Sequence, residues 1–226
     1  IIHDVTDLHL AEQALRQANR QLNLMSSITR HDILNQLTVL LGNLSFAQEE
    51  APEGPLSDYL KKMNVAAETI RRQIEFTRDY QDLGVRAPEW QRISDTIRAA
   101  AAEGLPITDE TDGLAIYADP MLVKVFGNLM DNTVRHGEVA TRVRVRYRPE
   151  EDGSLTLIWE DDGVGVPAGE KERIFHRGVG KNTGLGLFLI REILAITSIT
   201  IVETGEPGKG ARFEMRVPSQ TFRFDS

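Results

Sequence analysis

Between Asp7 and Leu41 the chain contains neither glycine nor proline, and Leu8, Leu15 and Leu22 recur every seven residues with Ala11, Ala18 and Met25 at the same interval. A two-in-seven apolar stripe with polar residues elsewhere is the seam of a coiled coil rather than one face of a globular helix. It predicts a parallel helix pair and therefore a homodimer. The apolar pattern continues through Ile33, Leu34, Leu37, Leu40, Leu41 and Leu44 to Glu50. At 1.5 Å per residue the whole helix would be about 65 Å long. Thr6 or Asp7 can cap it, and "IIHDVTD" ahead of it reads as the tail of a strand. "EEAPEGP" then forces a turn. A second pattern (Leu56, Leu60, Met63, Ala67, Ile70, Ile74, Thr77) runs to Leu83 and supplies an antiparallel partner. Two such hairpins would close a four-helix bundle.

Composition excludes several classes of function. With 226 residues and a net charge of -8, the chain lacks the broad basic surface that nucleic acid or anionic lipid requires. It has no cysteine, hence no disulfide framework and no thiolate metal site. No apolar run reaches the roughly 20 residues of a membrane span. These features lead us to expect a cytoplasmic fragment with no membrane contact of its own, whose parent protein could still be membrane-tethered.

After "GVRAPEW", which has the composition of a linker, the periodicity changes. The pattern predicts a helix over Ile93 to Ala102, a strand over Leu114 to Tyr117, and a helix over Met121 to His136. Two strands around a turn at Asp152 and Gly153, a glycine-rich region, a helix over Leu187 to Ala195 and two closing strands follow. This is a mixed α/β domain. Asp119 and Pro120 open the helix that carries "NLMDNTVRHG", where Asn128, Asn132 and Arg135 fall at i, i+4 and i+7 and share one face. "LTLIWEDDGVGVP" is an apolar strand ending in two carboxylates and then Gly163 and Gly165, and "KNTGLGLFL" places Gly184 and Gly186 just ahead of a helix. Asp161 can accept a hydrogen bond from an exocyclic amine such as adenine N6, with the glycines beside it letting a base approach the backbone. The second glycine pair lies at a helix N-terminus, whose N–H groups suit phosphate.

Two common nucleotide motifs fail. A P-loop needs glycine where Phe175 stands, and Asn182 follows the Gly180-Lys181 pair in place of Ser or Thr. "GVGVPA" matches a dinucleotide fingerprint loosely, but Pro167 disrupts the helix start and Asp161 and Asp162 would repel a pyrophosphate.

Taken in order, these segments resemble the core of a sensor histidine kinase. "SITRHDILNQL" looks like its phosphoacceptor box, "NLMDNTVRHG" like its asparagine box, "DDGVGVP" and "NTGLGLFL" like its two glycine boxes, and "GKGARFEMRVP" like its closing strand. "DVTD" resembles the end of a PAS sensor domain. The resemblance implies an upstream PAS-like tail over 1–6, a signalling helix with a dimerisation and phosphotransfer hairpin over 7–84, and an α/β sandwich of the GHKL/Bergerat ATPase type over 85–226. It implies His31 as phosphoacceptor, Asp32 as its activating acid, Asn132 as the Mg²⁺ ligand, and Asn128 and Arg135 beside the phosphates of ATP. Asp161 would hold adenine, with Gly163 and Gly165 at its side. Thr183, Gly184, Leu185 and Gly186 would close on the triphosphate, Lys181 would be a phosphate contact, and 168–183 would form a lid. The implied partner is the receiver domain of a response regulator, phosphorylated on aspartate.

Thr133 departs from the resemblance, since it replaces the usual alanine. Gln36, the short lid with no second aromatic, and "AITSITI", which lacks the glycine pair common there, depart as well. Asn35, at i+4, shares the His31 face and is placed to orient a water, which would add phosphatase activity. Two other classes stay open: another GHKL-superfamily ATPase, and a catalytically quiet dimeric phosphotransfer scaffold.

Overall fold

The computed structural model describes residues 29–50, 54–100, 105–179 and 184–225. The expected strand tail and heptad segment, with Lys181 and Thr183, lie outside the described residues. The chain divides into two compact units between Gln81 and Asp82.

The first unit is a helical hairpin. Helix α1 covers 29–50 and helix α2 covers Pro55–Asp82. The helices run antiparallel, with Arg30 on α1 donating to Gln81 at the far end of α2. Between them Leu37, Leu44 and Ala67 are buried, with Leu41, Leu60 and Ile74 packed against that cluster. The core is thin for helices of this length, and Val39, Phe46, Leu56, Tyr59, Met63, Val65 and Ile70 all remain exposed.

The second unit sets three helices against a mixed sheet. Its elements are β1 (Glu89–Arg92), α3 (Ile93–Ala100), β2 (Ile107–Glu110), β3 (Leu114–Ala118), α4 (Leu122–His136), β4 (Val143–Pro149), β5 (Leu155–Asp161), α5 (Gly186–Ala195), β6 (Thr200–Glu203), β7 (Arg212–Val217) and β8 (Phe222–Phe224). The main sheet has the order β2-β4-β5-β7-β6, with β2 parallel to β4 and the other pairs antiparallel. A smaller antiparallel sheet has the order β1-β3-β8. Helix α4 contacts both α3 and α5.

The register explains the two faces of the main sheet. Val145, Trp159, Phe213 and Glu203 lie in one cross-strand row, and Tyr147, Leu157, Met215 and Ile201 in the next on the same face. Trp159 stacks on Phe126 of α4, both fully buried, so this face meets the helices. Because side chains alternate along a strand, Asp161 lies on that inner face two residues past Trp159. The other face carries charges that pair across strands: Arg146 with Glu160 at 3.0 Å, Arg212 with Glu160 at 2.5 Å and Arg144 with Glu110 at 2.8 Å.

The sequence pattern places the long elements but not all of the short ones. Strand β1 begins inside the segment expected to be a linker, β2 has no counterpart among the expected strands, and three strands rather than two follow α5. Each of these short strands has few apolar residues of its own and is fixed by its pairing partner. Asp119 opens α4 as expected, its Oδ1 accepting the Met121 N–H at 2.8 Å, although the regular helix begins at Leu122. Its Oδ2 accepts the Gly84 N–H at 3.3 Å, which ties the chain entering this unit to the start of α4. Asp119→Ala leaves the Met121 and Gly84 N–H groups without their buried acceptor and should lower stability by about 1–2 kcal/mol, measurable as a lower midpoint in urea unfolding.

Candidate nucleotide site and phosphoacceptor helix

The expected nucleotide residues that are described lie on α4, at the end of β5 and at the start of α5, with Asn128 beside Gly186 and Thr133 bonded to Asp161. Asp161 is the best-connected of them. Its Oδ1 accepts the backbone N–H groups of Gly163 and Ala211, each at 3.0 Å, and its Oδ2 accepts the Thr133 hydroxyl at 3.0 Å. A carboxylate oxygen offers about two acceptor positions, so Oδ1 is filled and Oδ2 keeps one. The group is buried and retains a single directed acceptor, which suits one N–H of a base.

Gly163 is required by close packing. A β-carbon there would stand 2.5 Å from the Gly137 carbonyl oxygen and 2.7 Å from its Cα. The exit of α4 thus lies directly on the turn after β5, and the Gly137 oxygen accepts the Val164 N–H at 3.2 Å. Gly165 sits against the backbone of the 206–210 turn. Asp162 completes the lacing: its carboxylate accepts the Thr141 hydroxyl and the Thr141 N–H, both at 2.7 Å, and the Arg142 N–H at 3.1 Å.

On α4 the three polar residues have different surroundings. The Asn128 amide donates to the Lys124 carbonyl at 2.9 Å, and its oxygen lies beside Gly186, where a β-carbon would meet it at 3.0 Å. The Asn132 Nδ2 is buried and has no hydrogen-bond partner. Arg135 pairs with Asp131 at 2.9 Å on the helix surface. Helix α5 starts at Gly186 after the buried Leu185, and no side chain caps its N-terminus. Next to the Asn128 amide, this end can receive an anion.

Gly184, with φ +61°, closes the loop that precedes α5, its carbonyl accepting the Gly178 N–H at 3.1 Å. A β-carbon there would collide with the Val179 nitrogen at 2.4 Å. The stem of the loop, ahead of Gly178, is anchored by contacts that the sequence pattern does not single out. Lys171 pairs with the fully buried Glu203 carboxylate at 2.7 Å and also donates to the Gly205 carbonyl. Arg191 of α5 donates to the Phe175 carbonyl at 3.0 Å, and the Phe175 ring is buried edge-on against Phe213. Glu203 in turn accepts the Gly205 N–H at 2.9 Å and the Arg212 N–H at 3.1 Å. A carboxylate at the end of a strand on the core-facing side is the one available signal for Glu203.

On α1, His31 and Asp32 are about three-quarters exposed, and His31 Nδ1 lies 3.3 Å from Asp32 Oδ1. The Asn35 amide nitrogen lies 3.3 Å from Nδ1 and 3.5 Å from Nε2. The trio expected from the sequence is therefore together on one exposed patch. If Nδ1–H donates to Asp32, Nε2 carries the lone pair and is the nucleophilic nitrogen. Among the described residues no group of three or more His, Cys, Asp or Glu is arranged to hold a metal, and no helix is long and apolar enough to cross a membrane.

Comparison with known proteins agrees with this anatomy. Residues 118–221 match the family described as histidine kinase-, DNA gyrase B-, and HSP90-like ATPase. The sensor histidine kinase RcsC of Escherichia coli K12 is 26% identical over 233 residues, covering 91% of this chain and 24% of its own length. The aerobic respiration control sensor ArcB of the same organism is 25% identical over 240 residues, covering 95% of this chain and 31% of its own. The alginate biosynthesis sensor KinB of Pseudomonas aeruginosa is 35% identical over 100 residues, 42% of this chain and 17% of its own length. Among solved structures, full-length ShkA in complex with AMPPNP superposes with a TM-score of 0.61 at 19% identity, over 89% of this chain and 46% of that one. The chain spans about a quarter of the length of RcsC.

The second unit contains an ATP-binding domain of the histidine kinase, gyrase B and HSP90 class. Together with the helical hairpin ahead of it, this domain is similar to sensor histidine kinases over about nine-tenths of the chain.

Asp162 gives the site a pH signature. Its carboxyl is held down to about 2 from an ordinary 3.8, first by the Thr141 hydroxyl and then by the Thr141 and Arg142 N–H groups. A folded-state value below the unfolded one stabilises the fold above the unfolded value, and that contribution is lost as pH falls through the folded one. Wild type should therefore exceed Asp162→Asn in urea-unfolding stability at neutral pH, and the difference should shrink between pH 4 and 2.

Proposed function

We propose that this chain is the ATP-dependent autokinase portion of a two-component sensor, phosphorylating His31 and passing the phosphoryl group to an aspartate of a response-regulator receiver domain. The observation that carries the reading is the joint presence of a built adenine-type acceptor at Asp161 and an exposed His31-Asp32-Asn35 patch on a helical hairpin. In this reading Asp161 accepts the adenine amine, the α5 N-terminus and Asn128 face the phosphates, and Arg135, Lys181, Thr183, Gly184, Leu185 and Gly186 border them.

Mg²⁺ fits the residues present. The buried Asn132 amide has an unpartnered end, and turning that amide presents a carbonyl oxygen of the kind Mg²⁺ takes. With no protein cage among the described residues, the ion would be held by this one amide together with the triphosphate, which is usual for Mg²⁺. When bound, it supplies charge neutralisation on the phosphates. The rest falls to the chain's own groups. His31 Nε2 bonds to the γ-phosphorus as the bond from that phosphorus to the departing ADP oxygen breaks, and Asp32 meets the charge that develops on the ring through Nδ1–H. Asn35, beside both ring nitrogens, would orient a water for hydrolysis of the phosphorylated partner, a separate phosphatase reaction.

The hairpin would act as a homodimer. The heptad pattern and the exposed apolar residues of α1 and α2 both support a second copy as the missing cover. Sedimentation velocity should then give a species of about twice the 25.3 kDa chain mass; a concentration-independent monomer would contradict it.

Incubation with γ-labelled ATP should give acid-labile phosphate on wild type and none on His31→Ala, while both bind ATP equally. Asp161→Ala should abolish binding and labelling together. Hydrolysis without labelling would favour another ATPase of the superfamily, and neither activity would favour a quiet scaffold.

A further inference from the structure

Thr133 stands where the sensor-kinase pattern usually has alanine, and its hydroxyl is used in an unusual way. Four other helical threonines, Thr38, Thr69, Thr77 and Thr96, donate to the carbonyl four residues back in the chain, at 2.7–2.9 Å. Thr133 instead reaches across to β5 and donates to Asp161 Oδ2 at 3.0 Å, in a buried position. On its other side lies the Trp159 indole N–H, 3.5 Å from the Thr133 oxygen, at the long end of a hydrogen bond. Trp159 is fully buried.

The direction of this chain of bonds is forced by chemistry. An indole N–H can only donate and a carboxylate can only accept, so the hydroxyl between them accepts from Trp159 and directs its single proton to Asp161. Leaving the indole unpaired in the core would be costly. Asp161 is thereby constrained on both oxygens: Oδ1 is filled by Gly163 and Ala211, and one of the two positions on Oδ2 is filled by Thr133.

We propose that Thr133 is a positioning residue that sets base specificity by reducing Asp161 to one acceptor position. One position matches one N–H of the exocyclic amine that a 6-amino purine presents on its pairing edge. It forecloses the two-point grip that the N1–H and 2-amino group of guanine would make on a less occupied carboxylate. The inference rests on the reading of Asp161 as the base contact.

The test is competition binding of ATP and GTP to the full chain in wild type, Thr133→Val, Thr133→Ser and Asp161→Ala. Thr133→Val keeps the side-chain shape but frees the second position on Oδ2. It should weaken ATP, strengthen GTP and narrow the ATP:GTP preference by about tenfold, one hydrogen bond's worth. Thr133→Ser restores the donor and should keep the wild-type preference. An unchanged preference in Thr133→Val, an equal loss of both affinities, or a Ser variant that behaves like Val overturns the proposal. If Asp161→Ala leaves ATP affinity intact, the base-contact reading falls and this inference with it. If Asp161→Ala abolishes binding while Thr133→Val leaves the preference unchanged, only the role of Thr133 falls.

Discussion

The Asp161 carboxylate is the junction on which the second unit is organised. Three separate pieces of chain end on it: the turn after β5 through Gly163, the start of β7 through Ala211, and helix α4 through Thr133. A buried carboxylate without donors would be costly. Its satisfaction therefore fixes the relative places of α4, the β5 turn and the 205–211 turn. In the reading proposed here, the group that meets the base also holds together the chain segments around it, so recognition and local folding would be joined at this residue. The neighbouring Asp162 has the complementary role on the opposite side of the strand, holding the exit of α4 through Thr141 and Arg142.

The glycines follow from the same geometry. Gly163 brings two backbones into contact where a β-carbon would collide with Gly137, while a β-carbon on Gly137 would collide with the Thr133 carbonyl and Ala140. From the sequence alone, the first glycine pair suits the approach of a base. The structure adds a requirement that operates without any ligand, because Asp161 and Asp162 can reach their partners only if the turn and the helix exit lie this close. Around the rim, Lys171 with Glu203 and Arg191 with the Phe175 carbonyl fasten the stem of the loop before α5.

What can be read from the sequence is whatever repeats or punctuates. The 3.6-residue pattern places α2 and α4, the Asp152-Gly153 turn separates β4 from β5, and Asp119-Pro120 marks the opening of α4. The missed strands are short edge pieces. "ITDE" and "FRF" have no room for an alternating pattern, and their positions come from β4 and β3, which lie elsewhere in the chain. The site divides in the same way. Asp161, Asn128, Asn132 and His31 stand out as polar residues in apolar segments, whereas Glu203 and Lys171 are 32 positions apart and become partners only when β6 lies beside the loop stem. Thr133 is visible only as a departure from pattern, and nothing local shows that its proton crosses to β5.

The hairpin poses the opposite problem, since its local pattern is strong and its tertiary support weak. A helix of 28 residues that buries only Ala67 among its described side chains has most of its apolar surface still facing outward. Two helices in contact can cover only the strip between them, so a pair with apolar residues on two faces needs further helices. Dimerisation supplies these in the reading proposed here, with a four-helix core built from Leu37, Leu44 and Ala67 outward through Ile33, Leu40, Met63 and Ile70. His31 would then have to stay on the outside of that core. Its exposure, with Asp32 and Asn35 beside it, is what the packing of such a bundle leaves over: polar residues cannot enter the seam without partners, so they remain at the surface where a phosphate donor and an acceptor domain can each reach the same imidazole.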